Sequence, residues 1–264
     1  MLFTTSHLSD DNFIDGDKFE VLCESTGPSL LYLKTNEAVR RVEEGEPITD
    51  TPGTTLVTHN SDYHVTDKMA ETAVGQGVSR WFAQNAETAN PLVTPIPIGL
   101  ERRRWFPHLE KRKVMVEGMS CQHVQPTRLC LSNFSLGTNF GPRKQCMDAG
   151  RSFCSVSVSP SVVQEAYPWY VREVLDHWFN LCPDGNGVDT HRLWETLYLG
   201  RIPVVTSSVL TESMRDLPIL ILSSWADLRP EVLQDYLQRF QAGGVQYSLD
   251  KLDFDYWANR ILAI

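Results

Sequence analysis

The stretch that decides the fold runs from Phe179 to Val205 and reads FNLCPDGNGVDTHRLWETLYLGRIPVV. An apolar, strand-forming start is followed by a glycine-rich turn, by a segment of helical period that ends at Gly200, and by a second apolar run. This order predicts strand, turn, helix and strand, the unit with which open parallel sheets hold a nucleotide. The glycines let backbone N–H groups converge on an anion, because no Cβ intervenes.

The helix of this unit carries side chains suited to a phosphorylated ligand. Asp189 or Thr190 is expected to cap it, which sets the positive end of the helix dipole beside the turn. Arg192, in the first turn, has the planar fork that binds a phosphate through two hydrogen bonds. His191 and Glu195 are four residues apart and share a face of the helix. A carboxylate one turn beyond an anion site, as Glu195 is, can accept hydrogen bonds from ribose hydroxyls. A plain strand-helix-strand unit whose loop needs glycine remains the alternative at this point.

The segment resembles the donor-site signature of small GT-B glycosyltransferases related to the exostosin and fucosyltransferase-like families, P-x-G-x-G-x-D-x-x-R-x-W-E-x-L-x-x-G-x-I-P-V. The chain matches this pattern from Pro183 to Val204. The resemblance implies an α/β fold with two Rossmann-like domains facing each other across a cleft. It implies an acceptor-side domain at 1–125, a nucleotide-sugar-binding domain at 126–250 and a closing helix at 251–264. In this fold class such a helix commonly crosses back to the first domain, though packing on its own domain is equally compatible with its pattern.

A second loop is expected to contribute to the same site. The apolar strand Leu129–Ser132 leads into a polar, glycine-containing loop, and ligands of α/β sheets bind at the carboxyl ends of strands. Arg143, near the start of the next helix, can reach a diphosphate from there, whereas a solvated turn with a capping role is the alternative. The expected nucleotide-sugar-binding residues are Asn133, Ser135, Thr138, Asn139, Arg143, Pro183, Gly185, Asn186, Gly187, Asp189, Thr190, His191, Arg192 and Glu195.

The first half of the chain is expected to supply the base of an inverting reaction. Asp62 is the first choice, because it follows the strand Thr54–Thr58 and would point into the cleft, although an Asp at this position can also cap a turn. His59, Asn60 and Glu101 are acceptor-side candidates, and His59, Glu101 and Asp10 are reserves for the base.

The remaining strands of the first half are read from short apolar runs. The two prolines of the segment Val93–Leu100 force an extended backbone that is unsuited to the middle of a sheet, and this segment resembles the one that ends the N-terminal domain in related enzymes. The basic stretch Glu101–Lys113 reads as a linker. The expected strands of the whole chain besides the one that opens the glycine-rich unit are Leu30–Leu33, Thr54–Thr58, Val78–Asn85, Leu129–Ser132, Ile202–Thr206 and Ile219–Leu222.

Net charge, missing motifs and cysteine spacing argue against several classes of protein. The net charge of −9 over 264 residues argues against nucleic acid as a partner. No G-x-G-x-x-G follows a strand and no G-x-x-x-x-G-K-[ST] is present, which disfavours a nicotinamide dehydrogenase and a P-loop NTPase. The six cysteines have no zinc-ligand spacing, and the triplets Asp15–Asp17 and Asp253–Asp255 are interpreted as solvated acidic pairs. Neither a metal nor another cofactor is expected.

The reaction expected from the resemblance is transfer of a sugar to a hydroxyl of a glycan or glycoprotein acceptor. UDP-sugars such as UDP-xylose are the favoured donors, with GDP-fucose as the alternative. A non-catalytic nucleotide-sugar-binding protein and a sugar-nucleotide epimerase are rival interpretations. Neither a transmembrane segment nor a signal peptide is visible, so a soluble cytoplasmic enzyme of bacterial or viral type is expected, unless the native protein has an anchor outside this chain.

Overall fold

The computed structural model describes residues 3–103, 110–156 and 163–263. The prediction of an α/β fold is confirmed, because two fully parallel sheets alternate along the chain with helices, an arrangement consistent with two Rossmann-like units. The elements of the first half are α1 (Gly16–Thr26), β1 (Leu30–Lys34), α2 (Thr35–Glu44), β2 (Thr54–His59), α3 (Asp67–Gly75), β3 (Val78–Ala83), β4 (Val93–Pro95) and α4 (Lys111–Ser120). Those of the second half are β5 (Arg128–Ser132), α5 (Phe140–Gly150), β6 (Ser155–Val156), α6 (Val163–Leu175), β7 (His177–Leu181), α7 (His191–Tyr198), β8 (Ile202–Thr206), α8 (Val209–Ser213), β9 (Leu220–Leu222), α9 (Pro230–Gln241) and α10 (Phe254–Leu262).

The first sheet has the strand order β1-β2-β3-β4. Successive side chains of a strand point to opposite faces, so Leu56 and Trp81 pack with α2 and α3 while Val57 and Phe82 join a cluster on the other face. The proline-containing strand β4 lies at the edge, as its sequence predicts, and ends at Pro95.

The second sheet has the strand order β6-β5-β7-β8-β9. Chain order therefore reverses between β5 and β7, and the loops that follow these two strands leave the sheet on either side of a crevice. In open α/β sheets this topological switch point is the usual ligand-binding position. The glycine-rich turn lies there, because it follows β7 directly.

Helix α7 is held between the switch point and the core. Trp194, Leu197 and Tyr198 are fully buried, and Gly200 ends the helix with φ +67°, in the left-handed region that glycine adopts without strain. The start of the chain packs on this helix: the Ile14 N–H donates to the Tyr198 hydroxyl oxygen at 3.0 Å. This contact joins the segment before α1 to the second half of the molecule.

Two expectations about connections can be compared with the structure. The linker interpretation of Glu101–Lys113 is wrong at its end, because α4 begins at Lys111, and residues 104–109 lie outside the described part of the chain. The closing helix α10 contacts the first half: Phe254 N–H donates to Asn12 O at 2.9 Å, and Arg80 donates to Arg260 O at 2.5 Å. The expected domain boundaries stay a prediction.

Candidate functional site

Two adjoining cavities lie between the carboxyl ends of the two sheets. One, of about 260 Å³, is lined by the glycine-rich turn and α7, and we call it the turn cavity. The other, of about 220 Å³, is lined by the loop after β2 and by Glu101, and we call it the loop cavity. Asp62, Ile98 and His191 line both cavities, which therefore form one cleft.

The glycine-rich turn is shaped by close packing against the first half of the chain. A Cβ on Gly187 would lie 2.4 Å from Nδ2 of Asn85, so the turn or the Asn85 side chain would have to move. Asn85, just after β3, accepts from the Asp189 N–H at 3.1 Å and donates to Ser61 O at 3.1 Å. Glycine is thus required because the turn and the loops after β2 and β3 touch.

Arg143 connects the two loops of the switch point. Its Nε donates to Asp184 O at 2.9 Å and its Nη1 to Ser135 O at 2.7 Å, while Asn139 Nδ2 donates to Gly185 O at 2.9 Å. The Arg143 side chain is buried yet lines the turn cavity. Burial and the neighbouring Arg192 lower the pKa of its guanidinium. This cation both positions the turn and faces the site.

Arg192 has unused hydrogen-bonding capacity. Its Nη1 is buried and has no hydrogen-bond partner among the described residues, and its guanidinium lies 5.3 Å from the centre of the Tyr170 ring. Nδ2 of Asn133, just beyond β5, is likewise buried without a partner in the described chain. Because buried polar groups in native proteins are nearly always paired, such donors point to a missing acceptor.

Glu195 lines the same cavity one helical turn beyond Arg192. Its carboxylate is buried, and Oε1 accepts from the Tyr167 hydroxyl at 2.9 Å. Burial and the adjacent Glu195 charge hold the pKa of Tyr167 well above its usual range, so the phenol stays a donor. One carboxylate oxygen is thereby fixed, which holds the carboxylate in the wall of the turn cavity.

Thr190 is the N-cap residue of α7, so the expected cap position is confirmed, but its side chain makes no capping hydrogen bond. The Asp189 carboxylate instead accepts from Ile98 N–H at 2.6 Å and from Trp194 Nε1 at 2.8 Å, so it joins the turn to the segment after β4. Burial raises the pKa of Asp189 to about 7. The sequence could not reveal this contact, because Ile98 is distant in the chain.

Asp62 lies at the junction of the two cavities. Its side chain is exposed, and Oδ2 accepts from Asn186 Nδ2 at 3.0 Å across the cleft. The position agrees with a carboxylate that faces the cleft after β2. The hydrogen bond also gives Asp62 a structural part in holding the turn.

His59 is unsuited to the reserve role of base. Its Nε2 bonds Pro97 O at 3.0 Å, and Nδ1 accepts from the Asn60 N–H at 2.7 Å, so both ring nitrogens are used. Burial lowers the pKa of His59 to about 4. Asn60 adopts φ +60° and donates to Gly16 O at 3.2 Å, which makes it part of the cleft wall.

His191 and Glu101 face each other at the junction. His191 Nδ1 lies 2.8 Å from Gly99 O, and Nε2 lies 3.7 Å from Glu101 Oε1. The two side chains are 31% and 25% exposed, so both are accessible from the cleft.

Other expected residues lie beside the cavities instead of lining them. Asp10 pairs with Arg103 and Arg112 and lines neither of the two cavities. Sequence reasoning missed Asn85, Tyr167 and Asp184, although Asp184 lies within the turn, where burial and Glu87 raise its pKa to about 6. The expected residues outside the cavity linings are Asn133, Ser135, Thr138, Asn139 and Pro183.

The acidic triplets have structural partners. Asp15 is buried and pairs with Arg112, so its interpretation as a solvated residue is wrong, and Arg102 Nε lies 2.5 Å from Asp17 Oδ1. Asp253 caps α10 by accepting from the Asp255 N–H. The described residues contain no group of three or more His, Cys, Asp or Glu side chains arranged to hold a metal ion.

Within the described ranges, no helix combines the length and apolarity needed to cross a bilayer. No known protein-family model matches the chain, and no curated protein matches it.

Proposed function

We propose that this protein transfers a sugar from a nucleoside diphosphate sugar to a hydroxyl group, with its two parallel sheets in a GT-B-like arrangement around the cleft. The signature between Pro183 and Val204 supports this proposal through its resemblance to glycosyltransferase donor sites. The position of the glycine-rich turn at a topological switch point supports it independently of that resemblance.

The observation that carries the proposal is the pair of arginines in the wall of the turn cavity. Arg143 and Arg192 both line it, and Nη1 of Arg192 is buried without a partner in the described part of the chain. Hydrogen bonds between arginine and phosphate are charge-assisted and stronger than neutral ones. A diphosphate leaving group supplies the acceptor that Arg192 lacks, and its developing charge is stabilised where it forms.

The remaining polar groups fit the other parts of such a substrate. Glu195, held by Tyr167, offers a carboxylate oxygen to ribose hydroxyls. The loop cavity, lined by Asp62, Glu101 and His191, adjoins the turn cavity and suits an acceptor hydroxyl. Asp62 therefore stays a candidate for the base, together with the imidazole and carboxylate beside it.

The test has two steps. Thermal shift against UDP, GDP and CMP and against their sugars identifies the nucleotide, with UDP and UDP-xylose expected to give the largest stabilisation and GDP-fucose as the alternative. Release of nucleoside diphosphate is then measured with and without hydroxyl acceptors. Binding without release would favour the non-catalytic nucleotide-sugar-binding alternative, and no stabilisation by any nucleotide would contradict the proposal.

A further inference from the structure

The imidazole of His191 is held in a single tautomer. A carbonyl oxygen can only accept, so the 2.8 Å contact between Nδ1 and Gly99 O requires the proton on Nδ1. The neutral ring consequently carries its lone pair on Nε2. Gly99 keeps this carbonyl in place through its own tight packing, since its φ is +67° and a Cβ there would lie 2.1 Å from Ile14 O.

The Nε2 lone pair lies at the junction of the two cavities, where a sugar donor in the turn cavity would meet an acceptor hydroxyl in the loop cavity. His191 lines both the turn cavity and the loop cavity. Glu101 Oε1 lies 3.7 Å from Nε2, close enough for its negative charge to stabilise the ring once protonated. The other ionisable groups that line the two cavities are His59, Asp62, Arg102, Arg143, Asp189, Arg192 and Glu195.

Asp62 is less well arranged for the same task. Its side chain is exposed to solvent, and one of its oxygens already accepts from Asn186. His191 is partly withdrawn from solvent and has an oriented lone pair with a carboxylate beside it. Fixed geometry of this kind favours proton transfer, because less reorganisation is needed in the transition state.

We propose that His191, supported by Glu101, is the catalytic residue that removes the acceptor proton. This inference rests on the proposed function. The acceptor O–H proton moves to Nε2, the oxygen forms a bond to the anomeric carbon, and the bond from that carbon to the diphosphate oxygen breaks with its electron pair on the diphosphate. The imidazolium, balanced by Glu101, then returns its proton to water.

The first test does not depend on turnover. Long-range ¹H–¹⁵N spectra of the labelled full chain report which ring nitrogen carries the proton, and His191→Gln identifies the signal. We expect the Nδ1–H tautomer in the neutral ring. An Nε2–H tautomer would overturn the proposal, because no lone pair would then face the cleft.

The second test separates binding from chemistry with the nucleotide sugar that gives the largest thermal shift. His191→Gln is expected to lower the rate of nucleoside diphosphate release by about 10² to 10⁴-fold, while nucleotide affinity changes much less. Asp62→Asn is expected to lose far less rate than His191→Gln. His123→Gln is the matched control, since the His123 ring also bonds a backbone carbonyl, Ser120 O, but lies exposed and outside the cleft.

Glu101→Gln tests the supporting role of the carboxylate. It removes the charge that stabilises the imidazolium, so the rate of nucleoside diphosphate release is expected to fall while nucleotide affinity changes much less. An unchanged rate would remove Glu101 from the proposal.

The outcomes are distinguishable. Failure of every nucleotide to bind overturns the proposed function, and this inference with it. Binding and release that are insensitive to His191→Gln overturn the role of His191 alone. A nucleotide sugar that binds but is never cleaved overturns both the transferase function and the role of His191, and it favours the non-catalytic nucleotide-sugar-binding alternative.

Discussion

The Asp189 carboxylate joins the glycine-rich turn to the segment after β4, and its replacement by Asn is expected to change both stability and its pH dependence. Its two carboxylate oxygens accept from Ile98 N–H and Trp194 Nε1, and the group is buried between the two halves of the cleft. At acidic pH Asp189 is protonated, and both oxygens of a carboxylic acid can still accept, whereas in Asp189→Asn an NH₂ group replaces one acceptor and faces an N–H donor. Leaving one buried donor unpaired costs about 1 to 3 kcal/mol, so the variant is expected to be less stable than the parent at acidic pH.

The pH dependence of this difference follows from the sign of the pKa shift. Burial raises the pKa of Asp189 to about 7 in the folded protein, whereas an unfolded Asp titrates near about 3.9. Between these values the folded state binds a proton that the unfolded state does not, so this group's contribution to the free energy of unfolding falls as pH rises. At about 1.4 kcal/mol per pH unit, the parent should lose about 2 to 3 kcal/mol relative to Asp189→Asn between pH 5 and pH 8.

Urea unfolding of parent and variant at pH 5, 6, 7 and 8 measures the difference directly. Asp148→Asn is a suitable control: Asp148 is exposed, and its hydrogen bond with Lys144 lowers its pKa. The stability that Asp148 contributes is lost only as pH falls below the unfolded value, so its difference from the parent should be flat from pH 5 to 8. A difference between parent and Asp189→Asn that is equally flat would refute the account of Asp189.

Two further predictions concern the turn cavity. Glu195→Ala is expected to weaken nucleotide binding by roughly 1.5 to 3 kcal/mol in a calorimetric titration, because a hydrogen bond to a charged group is lost; an unchanged dissociation constant would remove Glu195 from the site. Gly187→Ala is expected to lower nucleotide affinity, because its Cβ would lie 2.4 Å from Asn85 Nδ2 and displace the turn. Gly141→Ala, with nothing within 4 Å of its Cβ, should bind nucleotide like the parent, and equal affinity of the two variants would contradict the argument.

The sequence predicted those parts of the fold that depend on local pattern. The unit from β7 to β8 forms as expected, because its glycines, its amphipathic helix and its apolar strands each favour one conformation. The short strand β6, of two residues, has too little apolar sequence to be recognised. The linker prediction for Glu101–Lys113 is wrong at its end for a related reason. The first residues of α4 are charged, so the start of this helix resembles a loop in sequence.

The site was predictable on one side of the cleft only. Motif spacing brings Arg192 and Glu195 into one cavity because they share a helix. Asp189 accepts a hydrogen bond from Ile98 N–H, and the Gly99 carbonyl orients His191. Both contacts depend on how the two halves of the chain pack. Local sequence contains no signal for such contacts. The sequence therefore could not show that Asp189 links the two halves or that His191 is held by a carbonyl.

Calorimetric titration of UDP and UDP-xylose into the parent and into Arg192→Lys tests the central claim most directly. Lysine keeps the charge but cannot supply the planar fork, and Nη1 of Arg192 is a buried donor without a partner in the described residues. We predict that the parent binds and that Arg192→Lys binds about 10-fold or more weakly, a loss of about 1.4 kcal/mol or more. Equal affinity of the two proteins, or no binding of any nucleoside diphosphate by the parent, would contradict a diphosphate site in this cleft.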